Sequence, residues 1–230
     1  LDGGNIPEIE IEAARRQLDP RTFEQEYEAS FKTFSGVVYY CFNRFESAST
    51  EEIQPDDELH IGMDFNVGKM AAVVYVQRSL HMHAVEEIAK GFDTPYMIDK
   101  IKERYQGHTI YIYPDASGNN RKSGDASQTD ISLLKKAGFF VRVNSRNPAV
   151  KDRVNSTNAM FLNSAAERRL FVNLKNCKSF VECLEKQDYN DAGEPNKKTG
   201  FDHMNDAGTY PIAYLHPINK QTTKQTPLRI

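Results

Sequence analysis

The stretch Leu59–Val76, LHIGMDFNVGKMAAVVYV, decides how the rest of the chain is interpreted. It predicts an apolar strand that ends on a carboxylate, Asp64, followed by a short turn and a second strand rich in valine and alanine. An ionised carboxylate in so apolar a run is costly to bury, so we expect a cation or a hydrogen-bond network beside it. Two later segments offer partners for Asp64: Thr109–Asp115 (TIYIYPD) and Phe201–Ala207 (FDHMNDA).

Length and composition indicate one sizeable α/β domain. The chain has 230 residues, of which 39% are hydrophobic, which suits one large core and would be cramped for two. It contains neither a run of about 18 apolar residues nor an N-terminal signal pattern, so we expect a soluble protein that is neither secreted nor inserted in a membrane. The three cysteines show no zinc-ligand spacing and their odd number argues against a disulfide framework, which favours a reducing, intracellular setting. The start at Leu1 is typical of a fragment.

Charge is unevenly distributed along the chain. Residues 1–58 hold 5 Lys/Arg and 14 Asp/Glu, a net of −9, whereas residues 59–230 hold 24 and 18, a net of +6. We predict a linker or N-terminal extension over residues 1–58 with one helix and one strand, a compact domain over residues 59–216 and a tail over residues 217–230. The part of the chain from residue 59 onward is mildly basic, which is compatible with a polyanionic substrate.

The N-terminal part carries two structural signals and a loop. Asp19-Pro20 predicts a helix start, with aspartate as N-cap and proline at the first helical position. Gly36–Phe42 (GVVYYCF) predicts a strand, and Glu46–Glu58 predicts an acidic loop.

The pattern after Leu59 predicts a mixture of strands and helices. Three strands, at 59–66, 70–78 and 80–88, should form an antiparallel meander. A helix over 96–105, begun by Thr94-Pro95, leads to a strand at 109–113 that should be parallel to its neighbour, because it is reached through a helix. The remaining predicted elements are a helix at 131–137, a strand at 139–144, a helix at 150–163, a strand at 169–174, a helix at 177–187 and a last helix from about Asp202.

The acids of the chain form a candidate metal site. Asp64 and Asp115 each end an apolar strand, and Asp202, His203 and Asp206 are spaced so that they share one face of a helix. Hard oxygen ligands from separate elements suit Mg²⁺ or Mn²⁺. Two such ions would activate a water and stabilise the leaving oxygen in phosphodiester cleavage.

Each of these residues also has a purely structural interpretation. Asp64 could bond backbone amides at a strand end, and Asp115 could simply belong to a turn. Asp202 could be an N-cap, and His203 an ordinary surface or capping histidine. The order of the motifs, with two acids at strand ends and a third on a late helix, is what favours the joint site.

Three motifs, GMDFN, IYPDASG and GFDHMNDAGTYPI, resemble the acidic motifs of the C-terminal nuclease domain of tailed-bacteriophage large terminase subunits. The resemblance covers most of residues 20–216. It includes a segment similar to the linker that follows the packaging ATPase in that family, carried by Phe23, Glu26, Tyr27, Phe31, Gly36, Val38 and Phe42. The resemblance implies a ribonuclease-H-like α/β fold, a mixed β-sheet flanked by helices on both faces, and cleavage of concatemeric viral DNA with two divalent metal ions.

Carried over by position, the resemblance implies that Asp64 bridges both metals and that Asp115 and Asp206 are the second and third acids. His203 matches a histidine thought to assist at the site, and Asp202 is a further candidate ligand. No GxxxxGK[ST] phosphate loop is present, so we expect the ATPase half to be missing from this chain. The implied partners are double-stranded DNA and, in the full-length protein, an ATPase domain, a portal ring and a small terminase subunit, all acting in the host cell cytoplasm.

Two basic loops flank the acids in sequence and are candidates for DNA contacts. They are 119–124 (NNRKSG), with Arg121 and Lys122, and 196–200 (NKKTG), with Lys197 and Lys198. A third candidate is the pair Lys151 and Arg153 at the start of a predicted helix. Such phosphate contacts are independent of base sequence and sensitive to salt. Each loop could instead be an ordinary solvated loop.

Other interpretations of the sequence remain open. His81 and His83 alternate on a strand, where they could ligate zinc, although a surface pair explains them without a metal. A recombination nuclease, such as a junction resolvase, would share the fold with a different setting for the third acid. In a non-catalytic DNA-docking module, the acids would be structural or would bind one metal ion without turnover.

Overall fold

The computed structural model describes residues 6–27, 36–66, 68–119 and 129–218. The helices in this part are α1 (Glu8–Gln17), α2 (Pro20–Tyr27), α3 (Thr94–Arg104), α4 (Asp130–Lys136), α5 (Val150–Phe161), α6 (Lys178–Lys186) and α7 (Asp202–Leu215). The strands are β1 (Ala48–Ser49), β2 (Glu58–Asp64), β3 (Met70–Arg78), β4 (His81–Gly91), β5 (Thr109–Pro114), β6 (Phe140–Val141) and β7 (Leu170–Asn173). A short 3₁₀ turn, Ala116–Asn119, follows β5.

The strands form one mixed sheet in the order β1-β7-β4-β3-β2-β5-β6. The predicted meander is confirmed, because β2 and β4 both run antiparallel to β3. The prediction that the strand after the first helix of the compact domain is parallel is also confirmed, since β5 pairs parallel to β2 with Met63 opposite Pro114. The carboxyl ends of β2 and β5 therefore meet at one edge of the sheet, where Asp64 and Asp115 lie.

Helices cover both faces of the sheet, as predicted. Alternate residues of β3 point to opposite faces: Val73 and Tyr75 belong to the core beneath α5, α6 and α7, whereas Val74 and Val76 belong to the core beneath α3 and α4. The strand is buried on both sides, which explains its nearly continuous apolar sequence. Within the described ranges, no helix is long and apolar enough to cross a bilayer.

The predicted strand at Gly36–Phe42 is wrong. The segment forms turns, and its backbone groups bond partly to the stretch after α6, where the N–H of Val38 donates to the carbonyl oxygen of Gln187 at 2.9 Å, and partly to a side chain of α5. Asn158 donates from Nδ2 to the carbonyl oxygen of Val38 at 2.9 Å and accepts from the N–H of Cys41 through Oδ1 at 3.2 Å. Val38 and Cys41 are buried in the same core as α5, so tertiary contacts override the β propensity of this segment.

The N-terminal part differs from the prediction in two further ways. The strand that it contributes is β1, inside the predicted loop Glu46–Glu58, and it pairs parallel to β7. Two helices form instead of one; the predicted start of α2 is confirmed, because Asp19 accepts a hydrogen bond from the N–H of Thr22 at 3.1 Å. Residues on both sides of the predicted boundary at residue 58 thus share one sheet.

Glu87 on β4 fixes the start of α6 and gives a testable prediction. Its two carboxylate oxygens accept hydrogen bonds from the N–H groups of Ser179 (2.9 Å) and Phe180 (2.8 Å). Replacing Glu87 with alanine should lower the free energy of unfolding by about 1–2 kcal/mol, measured by urea denaturation. Glu182→Ala, which removes only an exposed pair with Lys186 on α6, should cost less than about 0.5 kcal/mol. Equal losses in the two variants would contradict this capping role.

Candidate active site

A close contact between β2 and α7 brings the third acid to the first. A Cβ atom built on Gly62 would lie 1.9 Å from the carbonyl oxygen of Ala207 and 2.6 Å from Cδ of Pro211. Only a residue without a side chain allows the helix backbone to approach the strand this closely. Asp64 is two residues after this contact point, and Asp206 is one residue before Ala207, so the two carboxylates become neighbours.

Asp64 lies in a setting that disfavours its charge. The residue is only 8% exposed, and its Oδ2 lies 3.1 Å from Nδ1 of His203. Burial, together with the nearby charge of Asp206, raises the pKa of Asp64 to about 6; His203 opposes this effect and Asp115 adds to it. Asp206 and Asp115 therefore lie near enough to Asp64 to disfavour its charge.

Asp115 is held at the end of β5 by hydrogen bonds. Its Oδ1 accepts from the N–H of Ser117 at 2.7 Å and from Nδ2 of Asn147 at 2.6 Å. Asn147 also accepts from the N–H of Ala116 at 2.8 Å, so one side chain fixes both the acid and the turn after it. Burial favours the neutral form of Asp115, but these hydrogen bonds outweigh it and lower the pKa of Asp115. Sequence analysis missed Asn147, for which the only local signal is the turn-forming Asn147-Pro148 pair.

Asp206 is paired with a buried cation. Its Oδ1 accepts a hydrogen bond from Nη2 of Arg153 at 2.7 Å, and its Oδ2 lies 4.0 Å from Nζ of Lys197. Burial raises the pKa of Asp206, and the charges of Arg153 and Lys197 oppose this shift. The chain itself therefore supplies two positive charges beside Asp206, one buried and one exposed.

His203 and Asp202 complete the acidic end of α7. His203 lies within hydrogen-bond distance of Asp64 and also of Nδ2 of Asn66, which is 2.9 Å from Nε2. Asp202 is the first residue of the helix and Phe201 is the N-cap, so the interpretation of Asp202 as an N-cap is wrong. Asp202 is buried, its Oδ2 is 3.9 Å from Nδ1 of His203, and its Oδ1 has no hydrogen-bond partner among the described residues.

The donor chemistry of this cluster fits a hard divalent cation. Asp64, Asp115 and Asp206 offer carboxylate oxygens from three separate elements, and Asp202 adds a buried oxygen without a partner in the described part of the chain. Across residues 6–27, 36–66, 68–119 and 129–218, however, no three His, Cys, Asp or Glu side chains are already arranged around one point as metal ligands. The carboxylates instead contact protein partners, so their role as metal ligands stays a prediction.

The candidate DNA contacts divide into three groups. Lys151, Lys197 and Lys198 line one groove of about 890 Å³, between the start of α5 and the loop before α7. Arg121 and Lys122 lie outside the described residues. Arg153 is 4% exposed and pairs with Asp206, so its predicted place on a DNA-binding surface is wrong. The groove also contains three acids, Asp188, Asp191 and Glu194, so lysines do not dominate its charge.

His81 and His83 pack against other parts of the sheet. The ring of His83 stacks on Phe171 with 5.2 Å between centroids, and its Nδ1 lies 2.8 Å from Oγ of Ser49. His81 meets the edge of the same phenylalanine. These contacts are those of a strand surface pair.

The strand order and the helices on both faces define a ribonuclease-H-like α/β fold with an acidic cluster at one edge of its sheet. Residues 61–215 match the family described as "Terminase RNaseH-like domain". The chain belongs to this family, which confirms the resemblance carried by the three acidic motifs.

Solved structures share the fold at low sequence identity. The large terminase of a thermophilic bacteriophage has a TM-score of 0.70 at 16% identity, covering 92% of this chain and 53% of that protein. The P22 large terminase nuclease domain has a TM-score of 0.59 at 14% identity, covering 80% and 93%. The large terminase nuclease domain of Thermus phage P74-26 has a TM-score of 0.51 at 13% identity, covering 78% and 94%. This chain spans about half the length of the first of these proteins. No curated protein sequence matches the chain.

Proposed function

We propose that this chain is a metal-dependent endonuclease that cleaves concatemeric viral DNA during genome packaging. The observation that carries the proposal is the meeting of Asp64, Asp115 and Asp206, from β2, β5 and α7, at one edge of the sheet. Membership of the terminase RNase-H-like family supports it. We also propose that the chain acts in the host cell cytoplasm.

Asp64, Asp115 and Asp206 would hold two Mg²⁺ or Mn²⁺ ions, with Asp202 as a further ligand. When bound, the ions supply activation of the attacking water and stabilisation of the leaving oxygen. His203 orients Asp64 through the contact between Nδ1 and Oδ2, and its side chain is 23% exposed, which allows proton exchange with solvent. Asn147 orients Asp115 in the same way. These two residues each position one carboxylate of the cluster.

In the full-length protein, the proposed partners are an ATPase domain, a portal ring and a small terminase subunit. The large terminase of the thermophilic bacteriophage has also been solved in complex with ATP-gamma-S. Because this chain spans about half of that protein, an ATPase domain would lie in the remaining half. Double-stranded DNA is the substrate that we propose for the part described above.

The groove beside Asp206 is the proposed path for DNA. Replacing both Lys197 and Lys198 with alanine should weaken binding of a duplex about tenfold at moderate salt and lower the slope of log affinity against log salt by about 2, because each phosphate contact releases about one counterion. Fluorescence anisotropy in EDTA measures both quantities. The control is Lys175→Ala with Lys178→Ala, which removes the same charge at exposed positions before and at the start of α6. Equal losses of affinity in the two double variants would show that the effect depends only on the net charge of the protein and not on the groove.

Conversion of supercoiled plasmid to nicked and linear forms tests the proposed function. The parent chain should cut with Mn²⁺ or Mg²⁺ and should not cut with EDTA. Cutting in EDTA would contradict metal dependence. No cutting with either ion, in a chain whose thermal unfolding is also unchanged by the ions, would favour the non-catalytic DNA-docking module.

A further inference from the structure

Arg153 lies in the first turn of α5 and is almost completely buried. It is 4% exposed, and its guanidinium carbon lies 4.5 Å from the ring centroid of Tyr210 on α7. A buried guanidinium is costly unless an acid compensates for its charge. The acid that pairs with it is Asp206, which accepts from Nη2 at 2.7 Å.

The two oxygens of Asp206 have different surroundings. Oδ1 faces inward and is bonded to Arg153, whereas Oδ2 lies 4.0 Å from Nζ of Lys197, a side chain that is 64% exposed. The buried contact therefore fixes the carboxylate through one oxygen, while the second oxygen lies on the side of the exposed Lys197. The Tyr210 ring beside the guanidinium limits the conformations that Arg153 can adopt.

Arg153 cannot contact DNA directly in this arrangement. Its Nε and Nη1 atoms are buried, and neither has a hydrogen-bond partner among the residues that the structure describes. A phosphate would have to displace the packing of α5 against α7 to reach them. The positive charge of Arg153 therefore acts inside the protein, where Asp206 is its ion-pair partner.

We infer that Arg153 is a positioning residue, a resident cation that holds and neutralises Asp206 while no metal ion is bound. Arg153 pairs with the carboxylate of Asp206, and a divalent ion would bind the same carboxylate. The guanidinium and the ion would therefore compete for Asp206. The part of this inference that concerns metal rests on the proposed function. The pairing of Arg153 with Asp206 does not.

A thermal-unfolding cycle in EDTA tests the pairing. R153M leaves Asp206 buried without its cation and should lower Tm by roughly 10 °C, and D206N leaves the guanidinium unpaired with a similar loss. The double variant should lose clearly less than the sum of the two single losses, because it removes both members of the pair. K197M, which removes an exposed charge at 4.0 Å, should shift Tm by less than about 2 °C. Additive losses would overturn the inference.

Addition of Mn²⁺ to the same variants tests whether Arg153 and the ion compete for Asp206. Because Arg153 and the ion neutralise the same carboxylate, Mn²⁺ should raise the Tm of R153M more than that of the parent. R153K keeps the charge, should respond to Mn²⁺ as the parent does and should lose less Tm than R153M in the EDTA cycle. If R153M does not fold, R153Q, which also removes the charge, replaces it in both experiments. An Mn²⁺ shift in R153M no larger than in the parent would overturn the inference. If Mn²⁺ leaves even the parent unchanged, the proposed function fails, and the EDTA cycle still decides the pairing.

Binding to a DNA duplex in EDTA separates this role from a direct DNA contact. R153M should bind within about twofold of the parent at equal salt, since a buried charge makes no phosphate contact. K197M, with an exposed charge in the groove, should bind more weakly. A loss in R153M as large as that in K197M would contradict the positioning role.

Discussion

Replacing Gly62 with alanine should lower the free energy of unfolding by at least about 3 kcal/mol, the largest loss that we expect from any single methyl group in this chain. The added Cβ would meet the carbonyl oxygen of Ala207 at 1.9 Å. That atom belongs to the backbone of α7, so a side-chain rotation cannot relieve the contact. The helix itself would have to move away from β2, and Asp206 would move with it.

Urea denaturation and plasmid cleavage together measure this effect. We expect the Gly62→Ala variant to lose stability and, under conditions where it remains folded, to lose cleavage as well. Gly138→Ala is the control, because a Cβ there meets no atom within 4 Å and only the positive φ of 93° is unfavourable. It should cost about 1–2 kcal/mol and leave cleavage unchanged. A Gly62→Ala variant as stable as Gly138→Ala would contradict the close contact of β2 with α7.

Replacing Asp64 with asparagine should reduce the rate of metal-dependent plasmid cleavage at least about 1000-fold, which corresponds to about 4 kcal/mol of barrier. Asp64 is the central acid of the proposed site, with Asp206 and Asp115 both close enough to raise its pKa. Asparagine keeps the shape and one oxygen but removes the charge that would hold a cation.

The thermal unfolding of Asp64→Asn in EDTA shows whether lost activity reflects lost structure. Burial and neighbouring acids disfavour the ionised form of Asp64, so the neutral amide should leave Tm unchanged or raise it. Asp99→Asn, at an exposed position on α3, is the matched control and should cut like the parent. Cleavage by Asp64→Asn at the parent rate would place any activity at another site or in a contaminant.

Local patterns in the sequence were sufficient to predict where Asp64 and Asp115 lie. Each ends an apolar run, and the helix that precedes the strand ending at Asp115 favours a parallel crossover. The structure accordingly places both acids at the same edge of the sheet.

Long-range contacts could not be predicted in the same way. The strand propensity of Gly36–Phe42 is real, but two hydrogen bonds of this segment are made with Asn158, more than 100 residues away in sequence, which accepts one and donates the other. Likewise, nothing in the local sequence of Arg153 distinguishes a buried partner of Asp206 from a surface residue that binds DNA. The sequence predicts that Gly62 belongs to the first strand, but the contact of Gly62 with α7 depends on how the helix crosses the sheet.

Crystals of the chain grown with Mn²⁺, measured at the manganese absorption edge, test the central claim most directly. We predict anomalous difference peaks bonded to the carboxylates of Asp64, Asp115 and Asp206, at the edge of the sheet where β2, β5 and α7 meet. Peaks confined to another location, or none at this edge at millimolar Mn²⁺, would contradict the claim that these acids form the metal site of a nuclease.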